Sequence, residues 1–332
     1  MQRRLACLIL AAMASGVCAQ AASTEPVLSL SKGSGQAYPV RPVRLVTNDP
    51  GAGLDFTARL LAQGLTPNLG QQVIVENRGG GGGAIAAELV ARATPDGHTL
   101  LWHNNGIWTL PLLKTVSYDP LRDLATITQG TLSPNILVVH PAVAAKSVGE
   151  LLALARAKPD TLNFVSGGPG APTHLAAELF KAMANIRIVH IPYKGSGPAL
   201  NALLGGEGHM MFTVSNGGLP HIRSGRLRAL AVTSAQASML LPGVPTVSES
   251  GVPGYESATI HGLFAPAKTP PALIARMHQE VVRVLSRADV KEKFRGLASE
   301  TVGSTPAQFT AVIRADIARL SKLIKDAGIR GD

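Results

Sequence analysis

Past residue 18 this chain has no cysteine. Cys7 and Cys18 are its only two, and both lie in an apolar N-terminal stretch. The rest of the chain therefore cannot form a disulfide, a thiolate nucleophile or a cysteine metal site. Aromatic residues are scarce, at 4%. Lysine and arginine are scattered and form no basic run. A nucleic-acid surface needs both a basic track and rings for stacking, so the net charge of +10 points instead to a surface that favours anionic solutes. No later segment reaches the length of a membrane-spanning helix. No Gly-Lys-Ser/Thr follows any glycine loop, which argues against a nucleotide-binding P-loop. No nucleophile elbow surrounds Ser166. His209, His221, His261 and His278 are dispersed without metal-ligand spacing. Neither a metal nor a cofactor is expected.

What is present starts with a targeting signature. Arg3 and Arg4 precede an apolar run from Leu5 to Val17, and small residues follow at Cys18-Ala19 and Gln20-Ala21. Residues 1–21 read as a secretory signal peptide, which implies export to the periplasm. Cys18 would suit a lipoprotein site poorly, because Val17 stands where a small residue is wanted. Without Arg3 and Arg4 the charge of +10 falls to +8. Residues 22–37 are polar, small and without period, and read as a disordered leader. Folded structure is expected from Tyr38. With 45% hydrophobic and only 16% charged residues, the remainder can bury a large core in two domains.

Two glycine loops organise that remainder. Val43–Val46 reads as a buried strand, Asn48-Asp49-Pro50-Gly51-Ala52-Gly53 as a loop, and Leu54–Gln63 as a helix with Phe56, Leu60 and Leu61 on its apolar side. A second strand, Val73–Arg78, leads into five glycines, Gly79–Gly83. A helix follows from Ala84 to Ala93, with Ile85, Leu89 and Val90 on one stripe. Ordering five glycines costs much chain entropy, more than a plain turn requires. Helix N-termini carry unpaired N–H groups that attract anions, so both loops are candidate anion sites.

The pattern then repeats. Strands are expected at His98–Trp102, Asn135–His140, Leu162–Val165, Ile186–Ile191, Met210–Val214, Leu227–Val232 and Ala258–Ala265. His103–Gly106 reads as a polar turn. Ser147–Ala157 is an amphipathic helix, with Ser147 as its cap and Glu150 at the capping-box position. A third glycine loop, Ser166–Thr173, precedes a helix from His174 to Met183. Further helices are expected at Ser196–Leu204, Pro271–Ala288, Val290–Leu297 and Pro306–Ala327. Alternating strands and helices give an α/β fold of mostly parallel sheets flanked by helices. Its loops gather at strand C-terminal ends, where such sheets bind ligands.

Several segments in fixed order carry a resemblance: Tyr38-Pro-Val-Arg-Pro-Val-Arg-Leu, the Pro50–Asp55 loop, Val75-Glu-Asn-Arg with its five glycines, Pro95-Asp-Gly-His-Thr-Leu-Leu, Ala171-Pro-Thr-His-Leu-Ala-Ala-Glu-Leu-Phe, His190-Ile-Pro-Tyr-Lys-Gly-Ser, Leu219-Pro-His-Ile, Gly225-Arg-Leu-Arg-Ala-Leu-Ala-Val-Thr and Pro253-Gly-Tyr-Glu. Together they resemble the Bug family, periplasmic solute-binding receptors of tripartite tricarboxylate transporters, over nearly all of the chain past Tyr38. The resemblance implies a two-domain periplasmic-binding-protein fold with the ligand cleft between the domains. Domain 1 would be discontinuous (38–132 and 255–332), domain 2 would span 133–254, and two crossing strands would join them. It implies a non-enzymatic protein that captures a small carboxylate (a dicarboxylate, an amino acid or an aromatic acid) and hands it to membrane permease subunits, acting as a monomer and without nucleic acid.

Carried onto this chain, the ligand carboxylate would meet Asn48, Pro50, Gly51, Ala52, Gly53 and Asp55 on the first loop and Gly80, Gly81, Gly82, Gly83 and Ala84 on the second. Asn105 would line the cleft. The far end of the ligand would meet Ser166, Gly168 and Thr173, then Ser196, then Thr213. Asn48-Asp49 departs from the family's usual aromatic or proline residues. Asp49 is unfavourable beside a carboxylate unless it faces away, pairs with a cation or holds a ligand amine. Ala84 stands where a polar side chain is usual, and Thr213 where an Asp is frequent. Asp55 reads either as a partner for a ligand amine or hydroxyl or as a charge that stabilises its helix. Both acids favour a ligand with a positive or hydrogen-donating group. His103 and Trp108 could line the cleft, Trp108 equally as core. His174 reads as a structural hydrogen-bonding residue, His190 as packed and Lys194 as solvated. The competing classes are a secreted α/β hydrolase using Ser166 and a nucleotide-binding protein. The first lacks a nucleophile elbow and the second the P-loop lysine.

Overall fold

The computed structural model describes residues 38–51, 53–238 and 241–326. The expected signal peptide, the leader and Ala52 lie outside the described residues. The elements run β1 (Val43–Thr47), α1 (Gly53–Leu69), β2 (Val73–Asn77), a 3-10 turn at Gly81–Gly83, α2 (Ala84–Ala91), β3 (Thr99–Asn104), α3 (Gly106–Thr109), a second 3-10 turn at Leu110–Leu112 and β4 (Leu124–Val139). Next come α4 (Val148–Ala157), β5 (Asn163–Ser166), α5 (Pro172–Ala184), β6 (Val189–Pro192), α6 (Ser196–Leu204), β7 (Met210–Val214), α7 (Ser215–Arg223) and β8 (Arg228–Val232). The chain ends with β9 (Ala258–Pro266), α8 (Pro271–Ser286), α9 (Ala288–Gly296), β10 (Glu300–Thr301) and α10 (Pro306–Asp326).

The strands are ordered β2-β1-β3-β9-β4-β7-β5-β6, with β8 and β10 also pairing with β4. Each lobe has a parallel set, β2-β1-β3 in one and β7-β5-β6 in the other. Two long strands lie antiparallel between them. Leu124–Pro134 of β4 pairs with β9, while Asn135–Val139 of the same strand pairs with β7 and β8. One strand therefore belongs to both lobes and changes partners at Pro134/Asn135. Polar groups knot that crossing. Thr233 Oγ1 accepts from Asn135 N at 2.7 Å and donates to Ser257 O at 2.6 Å, and Thr259 Oγ1 donates to Asn135 Oδ1 at 2.8 Å. Asn135 is fully buried there, so these bonds satisfy polar atoms that water cannot reach.

The first half of β4 is a strand that the apolar pattern did not suggest. Thr126, Thr128, Gln129 and Thr131 interrupt any aliphatic run, yet Thr is β-branched and suits a strand. Gly130 is required because a Cβ there would lie 2.2 Å from the Trp102 ring. Two helical stripes also differ from expectation. In α1 the buried positions are Leu54, Ala58, Leu61 and Leu65, while Phe56 is 50% exposed. In α2 the core takes Ala86, Ala87 and Val90, and Ile85 is 50% exposed. Both follow a 3.6-residue period, with the phase set by small residues rather than the bulkiest ones. α1 also continues past Gln63, through Pro67, to Leu69. The expected polar turn at His103–Gly106 is instead the end of β3 leading into α3.

The aromatic residues build cores. Phe164, Phe180, Phe212 and Tyr255 anchor one lobe, and Trp108, Phe264 and Phe309 the other. The chain returns to the first lobe at its end: Trp108 Nε1 donates to Asp316 Oδ2 of α10 at 2.8 Å.

Candidate functional site

The first loop is braced from beneath by Asp55. Its carboxylate is 5% exposed and accepts from Gly51 N at 3.1 Å, Asn77 Nδ2 at 2.8 Å and Arg59 Nε at 3.0 Å. Asn77 Nδ2 also donates to Asn48 O at 2.8 Å. Burial pushes the Asp55 carboxyl up, but the bonds from Arg59, Asn77 and Gly51 outweigh it and hold it below the usual carboxylate range. Both oxygens are occupied by the protein itself.

The second loop explains its glycines. Gly80, Gly81, Gly82 and Gly83 all have positive φ, from 63° to 98°, a run that side chains with a Cβ rarely adopt. Close approach adds to this. A Cβ on Gly79 would fall 1.5 Å from Asp49 Oδ1, one on Gly82 3.0 Å from Pro169 O, and one on Gly83 2.3 Å from the His103 ring. Protein atoms thus occupy part of the space that the glycines open.

These contacts link four loops into a ring. Asp49 joins the first loop to Gly79 of the second, and Gly82 meets Pro169 of the third. On the third loop, Gly167 lies against Ser196, whose Oγ would be 2.8 Å from a Cβ at that glycine. Gly195 closes the circuit, since a Cβ there would lie 2.5 Å from Asp49 Oδ2. Thr109 Oγ1 further ties the lobes by donating to Gly170 O at 2.7 Å.

Each loop of the ring feeds a helix, α1, α2, α5 or α6. The N-caps of the last three, Gly83, Ala171 and Gly195, provide no side-chain cap. Elsewhere, α4 is capped by Ser147, whose Oγ accepts from Glu150 N at 3.2 Å, whereas α7, α8 and α9 also lack a side-chain cap; what sets the ring apart is that three such N-termini are gathered on it. Uncapped N-termini keep unpaired N–H groups and the positive end of the helix dipole.

Several other expected site residues are engaged by the protein itself. Asn105 is buried, donating from Nδ2 to Ala258 O at 3.2 Å and accepting from Ile260 N at 3.3 Å. Thr173 Oγ1 accepts from Gly167 N at 3.0 Å, and Ser166 Oγ from Gly168 N at 3.1 Å. Gly168, at φ 101°, leaves no room for a Cβ beside Tyr193 O. Thr213 is buried against Gly218. Pro50 and Gly51 are exposed, Gly53 and Ala84 half-buried.

Ser166 Oγ lies 2.7 Å from His190 Nε2, the pairing a hydrolase would require. Ser166 is fully buried, however, and its oxygen already accepts from Gly168 N, so the pair holds the loop. His190 stacks against both Phe164 at 4.6 Å and His174 at 4.4 Å, which also stack on each other at 6.3 Å. His174 Nδ1 accepts from Gly170 N at 3.3 Å, and Trp108 is core.

Four buried polar atoms around the first two loops lack a partner among the described residues: Thr47 Oγ1, Asn48 Oδ1, Asp49 Oδ2 and His103 Nε2. Burial pushes the Asp49 carboxyl up, partly offset by its own backbone amide. It also lowers His103 to about 4, so that imidazole is neutral. Thr47 was missed because a Thr ending a strand carries no distinguishing signal. Elsewhere, a groove of about 530 Å³ runs along the outer side of α1, lined by Phe56, Leu60, Val73 and Val75. Its Arg59 is already bonded to Asp55 and Asn77. Among the described residues no His, Cys, Asp and Glu cluster could hold a metal.

The family model described as "Tripartite tricarboxylate transporter family receptor" matches residues 57–329. The chain belongs to this family. The receptor is 34% identical to protein BugT of Bordetella pertussis over 301 residues, 90% of this chain and 92% of BugT. It resembles the solved structure of R. palustris Rpa4515 with adipate at a TM-score of 0.86 and 35% identity, covering 88% of this chain and 99% of that one. It resembles MatC from Rhodopseudomonas palustris with bound malate at 0.83 and 28%, covering 86% and 100%. The two-domain periplasmic-binding-protein architecture and the solute-binding character of the receptor follow from these matches, and its relatives are binding proteins rather than enzymes.

Proposed function

We propose that this receptor captures a small carboxylate in the cleft ringed by its four loops and delivers it to a tripartite tricarboxylate-type membrane permease. Export by residues 1–21 places it in the periplasm. The observation that carries the reading is the set of uncapped helix N-termini, α2, α5 and α6, gathered on one ring. N–H groups left without side-chain caps suit a carboxylate, which accepts charge-assisted bonds from several donors at once. The ligands of the two R. palustris structures, adipate and malate, support the same chemistry here. Gly80–Gly83, Ala84, Gly51 and Gly53 would supply the first-lobe amides, and Ser166, Gly168, Thr173, Ser196 and Thr213 would bound the far end.

Domain 2 spans residues 133–254 in this reading and domain 1 the remainder of the folded chain. The knot at Asn135, Thr233 and Ser257 is the hinge about which they close. A ligand that bridges the domains favours the closed form by its differential affinity. The receptor acts as a monomer, without cofactor or nucleic acid.

A thermal-shift screen of the purified protein against small carboxylic acids tests this. A ligand at 100 times its Kd stabilises the native state by about 2.7 kcal/mol, which is readily detected. A saturable shift with a carboxylate, lost on amidation of that carboxyl, is the expected result. No shift across the panel, with no acid released on denaturation, would overturn the reading.

A further inference from the structure

The two acids of the first loop have different fates. Asp55 has both oxygens occupied by Gly51, Asn77 and Arg59. Asp49 keeps one open. Its carboxylate lies between Gly79 of its own lobe and Gly195 of the other, so close that a Cβ on either would collide with it. Its Oδ2, on the Gly195 side, is buried and has no partner among the described residues. The neighbouring Asn48 Oδ1 is equally unpartnered. The cations next to Gly79 and Gly195 in sequence do not serve Asp49: Arg78 is paired with Glu76 at 2.6 Å, and Lys194 is exposed.

An ionised carboxylate and an amide oxygen accept hydrogen bonds and donate none. A second ligand carboxylate placed here would meet like charge, whereas an ammonium would supply donors and opposite charge together. We infer that the solute carries an ammonium group as well as its carboxylate, as amino acids and amino-carboxylates of similar size do, and that Asp49 selects it. The inference rests on the reading of the cleft as a carboxylate site. The solute's carboxylate goes to the loop amides and its ammonium to Asp49 Oδ2, with Asn48 Oδ1 beside it. Closing the lobes on a solute without a donor leaves Oδ2 buried and unpaired, so the closed form itself discriminates.

The test is calorimetric titration of the protein, refolded from denaturant to remove any retained solute, with matched acids that differ by one amino group. Suitable pairs are glutamate and glutarate, leucine and 4-methylpentanoate, phenylalanine and 3-phenylpropanoate, and 6-aminohexanoate and hexanoate. In at least one pair the amino member is expected to bind about ten- to a hundredfold more tightly. Asp49→Asn, which keeps the shape, should abolish that preference, and a thermal melt of each variant verifies folding. Asp49→Ala provides the same comparison should the Asn variant fail to fold. Preference for the amine-free member, or an unchanged ratio in the variants, overturns the inference while leaving the carboxylate reading intact. If no pair binds, the solute released from the denatured protein decides: an amine-bearing acid supports the inference, an amine-free acid overturns it, and release of no acid fails the carboxylate reading and this inference with it.

Discussion

Gly195 and Asp49 meet between the two lobes, with space for a carboxylate oxygen but not for a methyl group. A Cβ on Gly195 would lie 2.5 Å from Asp49 Oδ2, and the glycine has a φ of 122°. Gly195→Ala should therefore weaken solute binding, because the added methyl opposes the approach of the lobes, and should separately cost roughly 1–3 kcal/mol of stability through strain at such a backbone position. Asp49→Ala in the same chain removes the clash but not the strain, so a double-mutant cycle should show coupling between the two sites. Titration calorimetry with any bound carboxylate measures both. Wild-type affinity in Gly195→Ala would mean that the lobes do not approach this closely when loaded.

Asp55→Ala should act on stability. It strips bonds from Gly51 N, Asn77 and Arg59 at once, at a cost of about 1–3 kcal/mol, the lower end being favoured because Arg59 is half exposed. The Asp55 carboxyl is lowered from 3.8 in the fold. Its contribution is therefore complete above the unfolded value and is lost as pH falls below it. Urea melts at pH 7 and pH 3 should differ less in Asp55→Asn than in the wild type.

Burial keeps three histidines neutral. His103 is pushed down to about 4. His174 falls to about 3, by burial and then by the neighbouring His190 and Lys181. His261 also falls to about 3, by burial and then by His103. A histidine whose folded pKa is depressed contributes fully above its unfolded value of 6.5 and progressively less below it. Stability should decline by up to about 1.4 kcal/mol per pH unit for each such group between pH 6 and pH 4. Denaturant midpoints across that range check this, and His261→Asn should flatten the slope. Resonances of these three rings that titrate near pH 6.5 would contradict it.

Ser166→Ala should leave ester and amide turnover at the solution background, because the hydroxyl is buried and serves the loop. The variant is expected to lose about 1 kcal/mol of stability through the His190 and Gly168 bonds. A wild-type rate above background that vanishes in Ser166→Ala would restore the hydrolase reading.

Much of the fold was legible in the residues. The strand-loop-helix units announce themselves by aliphatic runs and glycines, and Ser147 caps its helix as its spacing with Glu150 implies. The first half of β4 was not, because Thr126, Thr128 and Thr131 take part in a strand without forming an apolar run. The phase of α1 was misread because Phe56, the bulkiest residue, lies on the exposed side while Ala58 is buried. The glycines marked loops that the structure gathers into one ring. Arg59, one helical turn beyond Asp55, is a local sign that this acid is satisfied, and Asn77 completes it from 22 residues away. The open Oδ2 of Asp49 has no such local sign, because its surroundings depend on Gly195 in the other lobe.

The position of β9 between β3 and β4 constrains the order of assembly. A chain emerging from its N-terminus presents β1, β2, β3 and β4 long before it presents residues 258–266. Until then the first sheet has a gap at its centre, and β3 and β4 each have an unpaired edge. The second lobe lies wholly between those two events, anchored to a strand whose other half still awaits its partner. Completion of the first lobe is thus a late, long-range step, of the kind that slows folding. A nascent chain cannot close this gap before residues 258–266 have been made.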